Sequence, residues 1–97
     1  MDEKKVYQEK MQEQLKEWAA KIDALLAKAE KADAKAKSKY QEQIHEVQEK
    51  KKLAEEKLHE LIGSGEETWG EVKEAFEKIS VDVRVAFKKF LHGEETR

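Results

Sequence analysis

The sequence has no cysteine, no proline and only four glycines among its 97 residues. Without cysteine, a disulfide framework, a thiolate nucleophile and a cysteine-ligated zinc site are excluded. No apolar run approaches the roughly 20 residues of a membrane-spanning helix, because lysine or glutamate interrupts every stretch. Residues 1–5 lead into no apolar region, so the sequence predicts no secretory signal. We therefore expect a cytoplasmic protein.

A strong excess of one charge is also lacking: 43% of the residues are charged, yet the net charge is only −2. Nucleic-acid-binding domains usually carry a basic excess, so no nucleic-acid partner is predicted. High charge is also typical of disordered chains. Here, however, strong helix formers such as alanine, glutamate, lysine and leucine dominate, and the apolar residues are periodic. The composition therefore predicts a single all-α domain over residues 1–97.

A first helix is predicted over about residues 3–62, because apolar positions recur there at spacings of three and four. The series is Met11, Leu15, Trp18, Ile22, Leu25, Ala29, Ala32, Ala36, Tyr40, Ile44, Val47, Lys51, Ala54, Leu58 and Leu61. Three consecutive steps of four, from Ala32 to Ile44, form a stutter that locally unwinds a left-handed supercoil. This helix would be roughly 90 Å long at 1.5 Å per residue.

A turn at residues 63–65 and a second helix over about residues 65–92 follow. Gly63 suits the left-handed residue that closes a helix, and Ser64 with Glu67 has the spacing of an N-terminal capping box. Gly93 is predicted to stop the second helix and to leave a frayed tail at 93–97. The apolar face of this helix comprises Trp69, Val72, Phe76, Ile79, Val83, Phe87 and Phe90.

The two predicted helices differ in length, and this difference predicts self-association. In an antiparallel hairpin the second helix would reach only to about residue 36, so the apolar residues before it would lack cover. A second copy would supply that cover in an antiparallel dimer that crosses at the alanine-rich segment near Ala32; a tetramer is the alternative. The self-association residues are Met11, Leu15, Trp18, Ile22, Leu25, Ala29, Ala32, Ala36, Tyr40, Ile44 and Val47. The predicted fold is thus a helical hairpin within a coiled-coil or helical-bundle oligomer.

Two Glu-x-x-His motifs are the sharpest candidates for chemistry. Glu42 with His45, and Glu56 with His59, have the spacing of carboxylate-bridged di-iron bundles. The two histidines are separated by about 21 Å along one helix and lie one step outside the core stripe. We therefore predict solvated histidines, no metal, no cofactor and no catalytic residues. The protein is not expected to be an enzyme.

Two functions fit these patterns. The first is a non-enzymatic, self-associating scaffold or adaptor that binds an unidentified protein partner. The alternative is a peripheral lipid- or client-binding protein that uses the aromatic second helix. The first half of that helix is acidic and would be repelled by anionic lipid, so a membrane surface is the less favoured partner.

The chain resembles, over nearly its whole length, a family of small bacterial coiled-coil proteins. The family is mostly uncharacterised, and some members are described as stress-response proteins. The residues that carry the resemblance are Lys4–Met11, Gln14–Trp18, the alanine-rich stretch Ile22–Ala36, Tyr40, Ser64–Trp69 and Val72–Phe76. The aromatic pair Phe87 and Phe90 has no match in that pattern. The resemblance implies a structural role linked to stress and no catalytic residues.

Overall fold

The computed structural model describes the backbone of residues 3–95 and the side chains of residues 3–89. This part of the chain is all-helical, as the sequence predicts. It contains three helices: α1 (Glu3–Lys31), α2 (Ala34–Gly63) and α3 (Trp69–Glu95).

The prediction of one continuous helix over 3–62 is wrong, because the chain reverses direction at Ala32 and Asp33. Asp33 has an extended backbone (φ −71°, ψ 169°) and acts as the N-cap of α2. Its side-chain Oδ1 accepts a hydrogen bond of 2.9 Å from the Ala36 backbone N–H. Such a bond satisfies one of the backbone donors that the first turn of a helix leaves unpaired. Two residues therefore divide the predicted helix into halves of nearly equal length.

The connection between α2 and α3 also differs from the predicted turn at 63–65. Gly63 is the last residue of α2, and no glycine among the described residues has a positive φ. Ser64 caps the end of α2 rather than the start of the next helix, since its Oγ donates a 2.8 Å hydrogen bond to the Leu61 carbonyl. Residues 65–68 then form a turn, so the next helix begins at Trp69 and not near 65.

The predicted end of the last helix is wrong as well. Helix α3 continues through Gly93 to Glu95, so residues 93–95 are helical and not a frayed tail. A glycine inside a helix costs only about 1 kcal/mol relative to alanine, which weakens a helix without ending it. Residues 96 and 97 lie outside the described part of the chain.

Contacts between the helices define a three-helix bundle. Lys4, at the start of α1, donates hydrogen bonds to the carbonyls of Ile62 and Ser64 at the end of α2, so α1 runs back along α2. Lys50 of α2 lies 3.4 Å from Asp82 of α3. The molecule measures 50 × 20 × 19 Å. The longest dimension is close to the length of one 30-residue helix.

One hydrophobic core connects the three helices. Its fully or almost fully buried members are Met11, Leu15, Trp18, Ile22, Leu25, Ala29, Ile44, Val47, Ala54, Leu61, Phe76 and Val83. The premise that the first half of the apolar stripe lacks cover is therefore wrong. Because the chain turns at Ala32, α2 and α3 of the same molecule cover α1.

Candidate functional site

The three helix pairs of the bundle are not packed equally. The backbone of α2 lies close to both α1 and α3, whereas α1 and α3 meet mainly through long side chains. These side chains line an open groove along one side of the bundle, which we call the α1–α3 groove. Its lining residues are Glu3, Val6, Tyr7, Lys10, Gln14, Glu17, Trp18 and Lys21 from α1, and Trp69, Lys73, Ser80, Arg84, Phe87 and Lys88 from α3.

Aromatic rings form the floor of the groove. Phe76 is only 1% exposed and stacks on Trp18, with ring centroids 5.8 Å apart and planes 16° apart. Tyr7 meets the edge of Phe76 at 6.2 Å and lies 6.3 Å from Trp69. Such pairs add roughly 0.5–1.5 kcal/mol beyond the burial of their area. The floor is therefore a set of packed aromatic rings that joins α1 to α3.

A constant register joins the two helices. Gln14 Oε1 accepts a 3.2 Å hydrogen bond from Ser80 Oγ, and Lys21 lies against Phe87. In both pairs the α3 residue lies 66 positions after its α1 partner, so α1 and α3 run in the same direction.

Cationic side chains flank the aromatic floor. The Lys73 ammonium lies 5.3 Å from the Tyr7 ring centroid and 6.0 Å from that of Trp69. The Lys21 ammonium lies 5.3 Å from the Phe87 centroid and 3.4 Å from a Glu17 carboxylate oxygen. Cations in these positions are attracted to the electron-rich faces of the rings.

The groove has two clefts, and together they carry five cations and three carboxylates. One cleft, at the start of α1 and α3, contains Lys10, Lys73 and Glu3 beside Val6, Tyr7 and Trp69, and the Glu77 carboxylate lies next to Tyr7. The other contains Lys21, Arg84, Lys88 and Glu17 beside Trp18 and Phe87. This surface is thus basic on a protein whose net charge is −2.

Tyr7 is the titratable group that the groove perturbs most clearly. Partial burial raises its pKa to about 12, and the nearby Glu77 carboxylate adds to the effect. Both causes disfavour the phenolate, because burial penalises charge and Glu77 repels it. The neutral Tyr7 hydroxyl donates a long hydrogen bond of 3.5 Å to the Lys73 carbonyl.

The two Glu-x-x-His motifs lie on α2, away from this groove. His45 and His59 are both exposed, and His45 Nε2 lies 3.4 Å from the Glu49 carboxylate. Within residues 3–89, no three histidine or acidic side chains come together as a metal site would require. Both histidines are thus solvent-exposed, as the sequence predicts.

The residues assigned to self-association lie within a single bundle. Met11, Leu15, Trp18, Ile22, Leu25, Ala29, Ile44 and Val47 are buried, whereas Ala32, Ala36 and Tyr40 are half-buried. On α3, Phe76 and Val83 are buried, and Trp69, Val72, Ile79 and Phe87 are half-buried. The side chain of Phe90 lies outside the described residues.

The groove is not among the features predicted from the sequence. Tyr7 is absent from the predicted apolar series, although it stands four residues before Met11 and so continues the same apolar stripe. In the sequence, Lys73 and Arg84 look like ordinary surface charges. Their position beside α1 cannot be predicted, because α1 lies next to α3 only as a result of the turn at Asp33.

Comparisons with protein-family models, with curated proteins and with solved structures found no match to this chain. The resemblance to bacterial coiled-coil proteins and the link to stress therefore stay predictions. Across residues 3–95, none of the helices has an apolar stretch long enough to cross a bilayer.

Proposed function

We propose that the protein is a non-enzymatic adaptor that binds an acidic amphipathic helix of a protein partner in the α1–α3 groove. One observation carries this proposal: the open side of the bundle presents aromatic rings flanked by an excess of cations. Grooves that bind amphipathic helices combine an apolar floor with flanking groups that set specificity.

The shape of the groove favours a helix as the occupant. Two parallel helices with separated backbones leave space in which a further helix would complete a four-helix bundle. From Tyr7 to Lys21 the groove extends about 21 Å, which matches four turns of a bound helix. Apolar side chains of the partner at i, i+3, i+4 and i+7 would contact Val6, Trp69 and Phe87.

The charges of the groove favour an acidic partner. Lys10 and Lys73 flank one cleft, and Lys21, Arg84 and Lys88 flank the other. Glutamates along both edges of the bound helix would lie next to these cations. Complementary charges of this kind increase the association rate and select against basic partners.

Membrane binding through a detached α3 is the less favoured function. Phe76, in the centre of the aromatic face, is buried against Trp18 and Tyr7, so α3 would have to leave the bundle to reach lipid. Client binding in the groove requires no such opening.

Titration with designed helical peptides tests the proposal. One peptide carries leucines at i, i+3, i+4 and i+7 with glutamates on both edges, and a second replaces the glutamates with lysines. We expect the acidic peptide to quench Trp18 and Trp69 fluorescence saturably and the basic peptide to bind much more weakly. Equal affinity for both peptides would contradict the proposal.

A double charge reversal locates the binding site. Arg84→Glu with Lys88→Glu should weaken binding of the acidic peptide by on the order of tenfold, since rim charges contribute modestly. The matched control is Lys35→Glu with Lys37→Glu, which reverses two exposed charges at the start of α2. Anionic vesicles form a separate arm, in which flotation of the wild-type protein would instead support the lipid function.

A further inference from the structure

We propose that the Ala32–Asp33 turn is a hinge, and that two chains exchange their α1 helices to form a domain-swapped dimer. In this dimer residues 3–63 of each chain form one continuous helix. This inference is independent of the adaptor function, because the swap rebuilds the α1–α3 groove from α1 of one chain and α3 of the other.

The turn sequence is compatible with a helix. Only Ala32 and Asp33 separate α1 from α2, and neither is glycine or proline. No described residue adopts a positive φ, so neither Ala32 nor Asp33 has a backbone conformation that prevents conversion to a helix. The flanking segment from Lys31 to Ala36 alternates alanine with lysine and aspartate, and alanine is the strongest helix former.

The apolar stripe continues across the turn. Leu25, Ala29, Ala32, Ala36 and Tyr40 keep spacings of three and four, so a continuous helix would place all five on one face. The sequence pattern fits a straight helix and the bent chain equally well. The small alanine side chains would also allow two such helices to cross closely at the hinge.

The swap exchanges one set of contacts for an identical set. In the closed chain, Trp18 stacks on Phe76, Gln14 bonds to Ser80, and Lys4 caps the end of α2. In the swapped dimer, α1 of one chain would make the same contacts with the other chain. Domain swapping of this kind is a low-cost route to dimers, and short hinge loops favour it.

What distinguishes the two states is the local structure of the hinge. The closed state has the hydrogen bond that the Asp33 side chain accepts from the Ala36 N–H as an N-cap. The bond from the Lys37 N–H to the Asp33 carbonyl is an ordinary helical bond that both states share. The swapped state loses the side-chain cap and gains helical hydrogen bonds through residues 32–35. Asp33 is therefore the residue that holds the chain closed.

Asp33→Ala tests this hinge by removing the cap and introducing a better helix former. Loss of an N-cap shifts such an equilibrium by about fivefold per chain, so the dimerisation constant, which involves two chains, should rise by about 25-fold or more. Light scattering on eluted protein over a concentration series measures this constant. Circular dichroism confirms that the variant stays helical.

Two further variants serve as controls. Asp23→Ala makes the same substitution at an exposed position within α1, where aspartate caps nothing, and should leave the dimerisation constant unchanged. Insertion of two glycines between Ala32 and Asp33 relaxes the turn and disfavours a continuous helix, so it should lower the constant.

Cysteine cross-linking shows whether a dimer is swapped. The native chain has no cysteine, and Gln14 and Ser80 lie within hydrogen-bond distance. In the Asp33→Ala background, chains with Gln14→Cys are unfolded and refolded together with chains with Ser80→Cys and then treated with a short bismaleimide cross-linker, because the two positions meet through a long glutamine side chain. We expect a cross-link between chains. A monomer at every concentration, or a dimer that never forms this cross-link, would overturn the proposal.

Discussion

At the scale of single residues, Phe76 is the buried aromatic side chain that joins α3 to α1. It is almost fully buried, stacks on Trp18 and meets the edge of Tyr7. We expect Phe76→Ala to lower the free energy of unfolding by about 3–5 kcal/mol, as for other buried phenylalanines. Urea denaturation measures the loss.

A nearby apolar residue of the same helix provides the comparison for Phe76. Val81 is 53% exposed, so Val81→Ala should change the free energy of unfolding by no more than about 0.5 kcal/mol. Similar losses for both variants would show that the aromatic floor is not part of the stable core.

Tyr7 makes the free energy of unfolding depend on pH in the alkaline range. Its pKa is raised to about 12, mainly by burial and further by Glu77, whereas an unfolded tyrosine titrates near 10. Between about pH 10 and 12 the unfolded chain therefore binds fewer protons than the folded one, so this contribution to stability falls as the pH rises. Below pH 10 both states are protonated, and Tyr7 contributes no pH dependence.

Ultraviolet titration of phenolate absorbance tests this prediction, with circular dichroism to verify that the helices persist. We expect one tyrosine to titrate near 12 in the wild-type protein, and this step to vanish in Tyr7→Phe. Glu77→Gln removes the repelling carboxylate and should lower the pKa of Tyr7. No change in Glu77→Gln would assign the whole shift to burial.

At the scale of elements, α2 is the helix that packs closely on both neighbours, and a small residue permits this. Ala54 lies on α2 and is fully buried. A leucine there would force the neighbouring helices apart, so Ala54→Leu should destabilise the protein by about 1–3 kcal/mol. Ala27→Leu adds the same atoms at an exposed position of α1 and should be close to neutral. Thermal unfolding compares the two variants.

The helices themselves were predictable from the sequence, but the break at Asp33 was not. The three-and-four spacing identified the buried faces correctly, since Met11, Trp18, Val47 and Phe76 are all in the core. The break carried only one signal, an aspartate suited to N-capping within an alanine-rich run. An aspartate inside a helix costs less than about 1 kcal/mol, so local preferences nearly balance. In a single chain the bend is required for α2 and α3 to cover α1, so packing favours the break there.

The candidate site was less predictable than the fold. The aromatic residues of its floor have clear apolar spacing in the sequence. Its lysines and arginine, in contrast, cannot be assigned to a site until the fold shows that they lie beside the aromatic rings. Lys73 contacts Tyr7 and Trp69, which are 66 and 4 positions away in the sequence. No local sequence pattern predicts a contact between α1 and α3, because that contact requires the chain to change direction at Asp33.

At the scale of the whole molecule, the bundle has the dimensions of a short rod. Its Cα radius of gyration is 15.6 Å, and its longest dimension is 50 Å. At low concentration, small-angle scattering of the wild-type protein should give a radius close to this value, slightly enlarged by hydration. A particle near 90 Å long, the length of a continuous 61-residue helix, would show that the open form dominates instead.

The parallel register of α1 and α3 has a consequence for the order in which the chain assembles. Each α1–α2 or α2–α3 pair joins segments linked by a short turn, so either hairpin can form early with little loss of chain entropy. The contacts of Tyr7 and Trp18 with Phe76 join residues that are 69 and 58 positions apart in the sequence. We expect these contacts to form only after α1 and α3 have both packed on α2. Proteins dominated by local contacts fold quickly. The stacking of Trp18 on Phe76 is therefore expected to report the last step of folding, as a change in tryptophan fluorescence that follows the gain of helix.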